Sequence, residues 1–336
     1  MITIKKFQDY NKIREYWGKM YENNPRLSIY QSIEYTDYLW KHILPYKFIL
    51  RKKPIFYLFL DNNQPILLVP LYRNWFSTQA VLFGYKTGCG YLDIICDKAI
   101  TVRQLDQCMQ LLSQNNLISK IQFCHVREDS ILAEYIRQKS VEIEQTDCIE
   151  IDICDTYEEY HSQLSKNTRQ NLRTAYNRLN SDDKNIEFRF YTSSTLTKTI
   201  KDSVLDLYYE RQTQQYHKSN SFAFKFFLKH IDIGTLNLNN NDIENIIFTV
   251  HIDGKLAAFY AAIVDKDRVI VPRLAIADEF GRYSPGMILI NESIKFFHQD
   301  NNLGIRYIDL THGDEKYKKA LGGSIHHCYQ GQLRMG

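Results

Sequence analysis

Two apolar hairpins set far apart constrain the fold of this chain more than any other feature. Residues 55–60 form an apolar run, Asp61, Asn62 and Asn63 supply turn chemistry, and residues 65–72 form a second apolar run. That is the pattern of a β-hairpin. It returns at 246–252, Asp253-Gly254 and 256–264. Asp61 and Asp253 stand about half the chain apart, which predicts a duplicated domain plan and excludes a short-period solenoid. The order of elements around each hairpin is alike. Helices are predicted over 10–22 and 32–43 before the first, and over 157–180, 195–217 and 221–232 before the second. Strands then follow at 80–83 and 268–277, helices at 101–115 and 286–299, and strands at 118–125 and 305–310. The expected fold is α/β of the mixed, α+β sheet kind, with one domain over 1–150 and a second over 151–336. An apolar strand at 148–153 leads into the second domain, and the Asn-rich stretch 237–245 is expected as an exposed connection.

Charge and cysteine content narrow the function classes. Lys plus Arg number 42 and Asp plus Glu 39, a net charge of +3, so any polyanion contact has to come from a local patch. The longest apolar runs are strand-length, far below the ~20 residues of a membrane span. Polar residues interrupt the N-terminal segment before a signal-peptide core can form, and the expected location is cytoplasmic. Seven cysteines without a C-x-x-C pair read as reduced thiols, and the adjacent His326, His327 and Cys328 lack metal-ligand spacing, so an exposed end and no metal are expected. Gly84, Gly88 and Gly90 read as turn glycines, Cys89 as a structural thiol, and Trp17, Trp40 and Trp75 as core or interface anchors.

The segment with most chemical content is the predicted strand 268–277, the turn D-E-F-G-R-Y-S-P-G, and the helix that follows. A strand ending in such a turn and opening into a helix offers backbone N–H groups and a helix dipole to an anion. Arg282 adds charge, Ser284 a capping hydroxyl, Pro285 a first-turn residue and Gly286 room for close approach. A plainly capped helix has the same appearance. Lys166, Arg169 and Arg173 share one face of a predicted helix whose other face carries Leu164, Leu172, Ala175 and Leu179, which suits either a phosphate contact or a solvated face.

Several motifs in order give the chain a family likeness. D-G-K-L-A-A-F at 253–259, R-Y-S-P-G-M at 282–287 and D-L-T-H-G-D-E-K-Y-K at 309–318, with L-S-K-N-T-R-Q-N-L-R at 164–173 and Y-Q-S-I-E-Y at 30–35, resemble the CelD-like acetyltransferases. These are members of the GNAT acyltransferase superfamily related to the Fem peptidoglycan aminoacyltransferases. The resemblance implies tandem GNAT-like domains, the first degenerate. It implies an acetyl-CoA or other acyl-CoA donor held in the second domain by Ala275, Ile276, Ala277, Arg282, Tyr283, Ser284, Gly286 and Met287.

Acyl transfer to an amine or hydroxyl needs a base and a proton donor for the leaving thiolate. His312, Asp314 and Glu315 are the candidate bases and Tyr317 the candidate donor. Lys166, Arg169, Arg211, Lys316 and Lys318 are candidate contacts for an anionic or glycan acceptor, expected in a cleft between the domains. The implied activity is N- or O-acylation of an amino sugar, nucleotide-sugar or cell-surface polysaccharide precursor. Two alternatives stand beside it: a Fem-like transferase using aminoacyl-tRNA, and a non-catalytic scaffold for polysaccharide assembly, which the glycine-poor loop leaves open.

Overall fold

The structure is a computed structural model describing residues 1–44, 52–114, 117–216, 243–299, 302–313 and 315–335. The expected helix over 221–232, most of the Asn-rich stretch and the candidate base Asp314 lie outside the described residues. The chain divides into two compact units, one of Met1–Asp147 with His326–Gly336 and one of Cys148–Ile325. Among the described residues no helix is long and apolar enough to cross a membrane.

In the first unit, β1 (Ile2–Phe7), β2 (Lys52–Asp61), β3 (Gln64–Asn74), β4 (Gln79–Leu82), β6 (Lys120–Arg127) and β13 (Ser324–Arg334) lie side by side in that order, and β5 (Ile95–Cys96) pairs with β3. All these pairs are antiparallel except β4 with β6. Every residue of β2 from Ile55 to Leu60 is buried, because both sheet faces are covered. Ile55, Tyr57 and Phe59 join the core that includes α3 (Val102–Ser113) and α4 (Ile131–Lys139). Phe56, on the other face, meets Trp17 of α1 (Arg14–Glu22) and Trp40, which follows α2 (Ile33–Tyr38). The chain's end differs from the sequence reading. His326, His327 and Cys328 belong to the first unit and lie in β13, which pairs with β6 from Cys328 onward; His326 is exposed, His327 half-buried and Cys328 buried.

In the second unit the strand order is β7 (Ile143–Asp152, from Cys148 onward), β12 (Tyr307–His312), β11 (Arg268–Ile276), β10 (Lys255–Asp265), β9 (Asn245–Ile252) and β8 (Ile186–Thr192). Only β11 with β12 is parallel. On one face pack α5 (Tyr157–Gln163), α6 (Lys166–Ser181) and α8 (Pro285–Gln299), through Tyr160, Leu172, Ala175, Leu179, Leu289 and Phe297. On the other packs α7 (Lys198–Tyr216), through Val204, Leu207 and Tyr208. This explains why β9 is buried at every position. The helix expected over 157–180 is broken at Leu164 and Ser165, where Ser165 accepts the Thr168 amide and starts α6 afresh.

Both hairpins are present, and their turn residues have the left-handed backbone that a two-residue turn requires: Asn62 and Asn63 at φ 48° and 66°, Asp253 and Gly254 at 50° and 76°. Gly84 and Gly88 also take positive φ, as turn glycines do.

Candidate active site

In the second unit β11 and β12 run parallel for three rungs, Arg268 to Tyr307, Val269 to Ile308 and Ile270 to Asp309, and then part. The cause lies in β12. Its register with β7 slips between Asp309 and His312, and Thr311 adopts φ 53°, so a bulge turns the strand aside. The Thr311 amide caps the Asp309 carboxylate at 2.8 Å, and the Thr311 hydroxyl donates to the Val271 carbonyl at 3.2 Å, a last tie across the gap. Beyond it β11 stays paired with β10 as far as Ile276. The Ala277 amide also donates to Ala257, at 2.9 Å. Alternation along a strand therefore turns the backbone polar groups of Leu274 and Ile276 toward the wedge between β11 and β12.

At the end of β11, a 3-10 turn over Asp278–Tyr283 leads to Ser284 in the left-handed region, φ 51°, and directly into α8. The C-terminal end of α6 holds this turn from outside. Asp182 accepts from the Tyr283 hydroxyl at 2.6 Å and lies 3.0 Å from the Arg282 guanidinium, while Arg178 donates to the Arg282 carbonyl at 2.8 Å. The hydrogen bond to Asp182 holds the Tyr283 phenol above its ordinary pKa. The turn offers fewer amides than its sequence suggests. Ser284 donates to Gly281 and Met287 to Ser284, and Pro285 has no N–H, which leaves Gly286 as the amide at the helix start without an acceptor among the described residues. Gly286 also has a packing role, since a Cβ there would stand 2.6 Å from the Ile276 Cδ1.

Across the wedge, β12 ends at His312, Gly313 follows, and Glu315 precedes the short helix α9 (Lys316–Ala320). The His312 Nδ1 lies 3.3 Å from the Cys148 Sγ. The Tyr317 phenol is mostly enclosed and its pKa is pushed well up, first by burial and then by the Glu315 charge, against an opposing pull from Arg211. It stays protonated through neutral pH. Arg211 reaches this place from α7 and lies 3.5 Å from Asp278 at the end of β11. The wedge mouth thus brings together Arg211, Asp278, Glu315 and Tyr317.

Lys318 departs from the sequence expectation. It is not a surface cation awaiting an acidic ligand but a buried one, with its Nζ 3.2 Å from the Leu310 carbonyl, 2.9 Å from the His312 carbonyl and 2.9 Å from Glu315. Three N–H groups thus meet three protein acceptors. Arg169 likewise donates to the carbonyls of Ser162 and Leu164, at 2.9 and 2.7 Å, bracing the break between α5 and α6. Lys166 and Lys316 are exposed. Arg169 and Asp182 are thirteen residues apart, so Lys166 and Arg169 lie about 20 Å along α6 from the end that grips the Arg282 turn. The structure does not bring them to that turn. Arg178 and Asp182 are the supports that sequence reasoning missed, because nothing in their spacing marks a helix end that meets residues a hundred positions away.

Comparison with known proteins agrees with this architecture. Residues 166–319 match the family model described as an acetyltransferase (GNAT) domain. A tandem GNAT protein from the clavulanic acid biosynthesis pathway superimposes with TM-score 0.60 at 9% identity, over 100% of this chain and 99% of that one. FemX does so with TM-score 0.58 at 8% identity, over 97% and 96%. The C-terminal domain of a lysylphosphatidylglycerol synthetase from Agrobacterium fabrum follows, with TM-score 0.53 at 11% identity over 84% of each chain. At such identities the likeness is one of fold. No curated protein matches the chain by sequence. The fold is that of tandem GNAT proteins, and residues 166–319 form an acyltransferase domain of the GNAT type.

Proposed function

We propose that the second unit binds an acyl-CoA, with an acetyl group as the first candidate, along the wedge between β11 and β12. There it passes the acyl group directly to an amine or hydroxyl of an amino sugar, nucleotide-sugar or polysaccharide precursor. The observation that carries the reading is the parting of the two parallel strands on the same side of the unit as a half-buried, protonated phenol. A thioester with an amide-bearing arm needs an exposed strand edge to lie against, and the ends of Leu274 and Ile276 supply one. Its phosphates need a cation and a helix start, and on this reading Arg282, Ser284 and Gly286 serve them, with Ala275, Ala277, Tyr283 and Met287 as the neighbouring contacts.

The chemistry follows from the same groups. The acceptor's N or O attacks the thioester carbonyl carbon, its proton passes to a base, the C–S bond breaks, and the departing sulfur takes a proton from Tyr317. We assign the base to His312, whose imidazole nitrogen can accept a proton, whereas Glu315 is engaged by Lys318. No covalent enzyme intermediate is required, and holding both reactants in one wedge supplies much of the rate. Arg211 and Lys316 serve as acceptor contacts. On this reading the chain sits with the CelD-like acetyltransferases. The aminoacyl-tRNA reading draws on the shared fold alone.

The test is thiol release from acetyl-CoA, followed over a panel of amino sugars and nucleotide-sugars. Tyr317→Phe should cut kcat by about 100-fold or more while leaving KM for the donor within a few-fold. Turnover with a charged tRNA and none with acetyl-CoA would sink the proposal.

A further inference from the structure

We propose that the β3–β4 hairpin tip of the first unit is an anchor for an anionic lipid bilayer. The turn Trp75-Phe76-Ser77-Thr78 joins β3 to β4, and the Phe76 side chain is 90% exposed. A phenylalanine held in water at a loop tip contributes nothing to its own unit's core. Trp75 stands beside it with ring centroids 6.5 Å apart, and the Lys53 Nζ lies 5.4 Å from the Trp75 ring.

Strand register gathers the charges. Lys53 pairs with Arg73 and Arg73 with Ala80, while one rung further out Gln79 pairs with Lys120 and Lys120 with Arg334. The cations on β2, β3, β6 and β13 therefore come to one end of the sheet, within about 20 Å at ordinary strand spacing. None of Lys53, Arg73, Lys120 or Arg334 is paired with a carboxylate among the described residues, and the tip segment 74–79 contains no acidic residue.

An exposed phenylalanine beside a half-buried tryptophan, among cations that no described carboxylate pairs, matches a lipid surface, where Trp and Phe settle at the headgroup boundary and Lys and Arg meet anionic headgroups. A single exposed aromatic gives a nucleic-acid strand little to stack on, and Phe76 has no polar end to suit a protein rim. The whole chain is nearly neutral at +3, so attraction to an anionic surface has to be local.

The experiment is co-sedimentation of the full chain with vesicles of phosphatidylcholine alone and of phosphatidylcholine mixed with phosphatidylglycerol, with Trp emission read in parallel. Binding is expected to the mixed vesicles, with a blue shift that Trp75→Phe removes. Phe76→Ser should weaken binding about tenfold or more, Arg334→Glu by about fivefold or more, and raised salt should weaken it further. The exposed position of Phe76 lets its variant melt with the wild type, which separates lost binding from lost folding. Equal binding to both vesicle types, or no effect of either variant, would overturn the proposal. So would binding of single-stranded RNA, lost in the same variants, without binding to vesicles.

Discussion

Replacing Lys318 by methionine decides between the two roles this residue can hold. Its ammonium donates to the Leu310 and His312 carbonyls and meets Glu315, with 7% of the lysine side chain exposed and 53% of the glutamate's. A hydrogen bond from a charged donor contributes about 1.5–3 kcal/mol, and an acceptor left unpaired costs its desolvation. Methionine keeps the stem's packing and relieves the desolvation of the ammonium, which offsets part of the loss. The net cost is about 2–4 kcal/mol. For a unit the size of Cys148–Ile325, each kcal/mol moves Tm by about 2–4 °C, so the transition should fall by about 5–15 °C. Glu315→Gln is the control. Its carboxylate is half in water, and its loss should cost less than about 1 kcal/mol. Calorimetry resolves the two. A Lys318→Met protein that melts with the wild type but loses acceptor affinity would refute the buried-strap account and return Lys318 to the ligand contacts.

Other consequences can be checked as directly. Gly286→Ala should destabilise the second unit by about 1–2 kcal/mol, the overlap with Ile276 outweighing the helix propensity gained. Ile276→Val, which removes the offending Cδ1, should cancel most of that cost in the double variant, and strict additivity of the two changes would contradict the packing. In the first unit, burial pushes the Asp93 carboxyl up to about 7, against opposing hydrogen bonds from Ser130 and the Ile94 amide. Its folded pKa lies above its unfolded one, so its contribution is fully present at acid pH and is lost as pH rises from about 4 through 7, by at most about 4 kcal/mol. Asp93→Asn should flatten that slope in urea unfolding at successive pH values, and an unchanged slope would remove Asp93 as its source.

The parts of this molecule that could be read in its sequence are those fixed by local chemistry. Asn62-Asn63 and Asp253-Gly254 announce two-residue turns because few other residues accept positive φ, and flanking apolar runs then fix the hairpins. Ser284-Pro285-Gly286 marks the start of α8 for the same kind of reason. Local pattern did not reveal β8, whose sequence I-E-F-R-F-Y-T is half-buried along most of its length, or β13, whose partner β6 is two hundred residues upstream. Lys318 shows the limit most clearly. Its burial depends on α9 folding back against the end of β12, where the Leu310 and His312 carbonyls meet its ammonium, and no spacing rule encodes that. Arg282 was legible as a cation beside a helix start, but its grip by Asp182 was not.

The central claim, that the wedge and the Arg282 turn hold an acyl-CoA, is tested most directly by calorimetric titration of acetyl-CoA into the wild type and into Arg282→Glu. Arg282 is mostly exposed, so the variant loses one surface ion pair with Asp182 and should melt within a few degrees of the wild type, the Tyr283 and Arg178 hydrogen bonds still holding the turn. The account predicts saturable binding to the wild type, weakened at least tenfold in the variant by the reversed charge facing the coenzyme phosphates. Absence of binding at millimolar coenzyme, or equal affinity in both proteins, would contradict it.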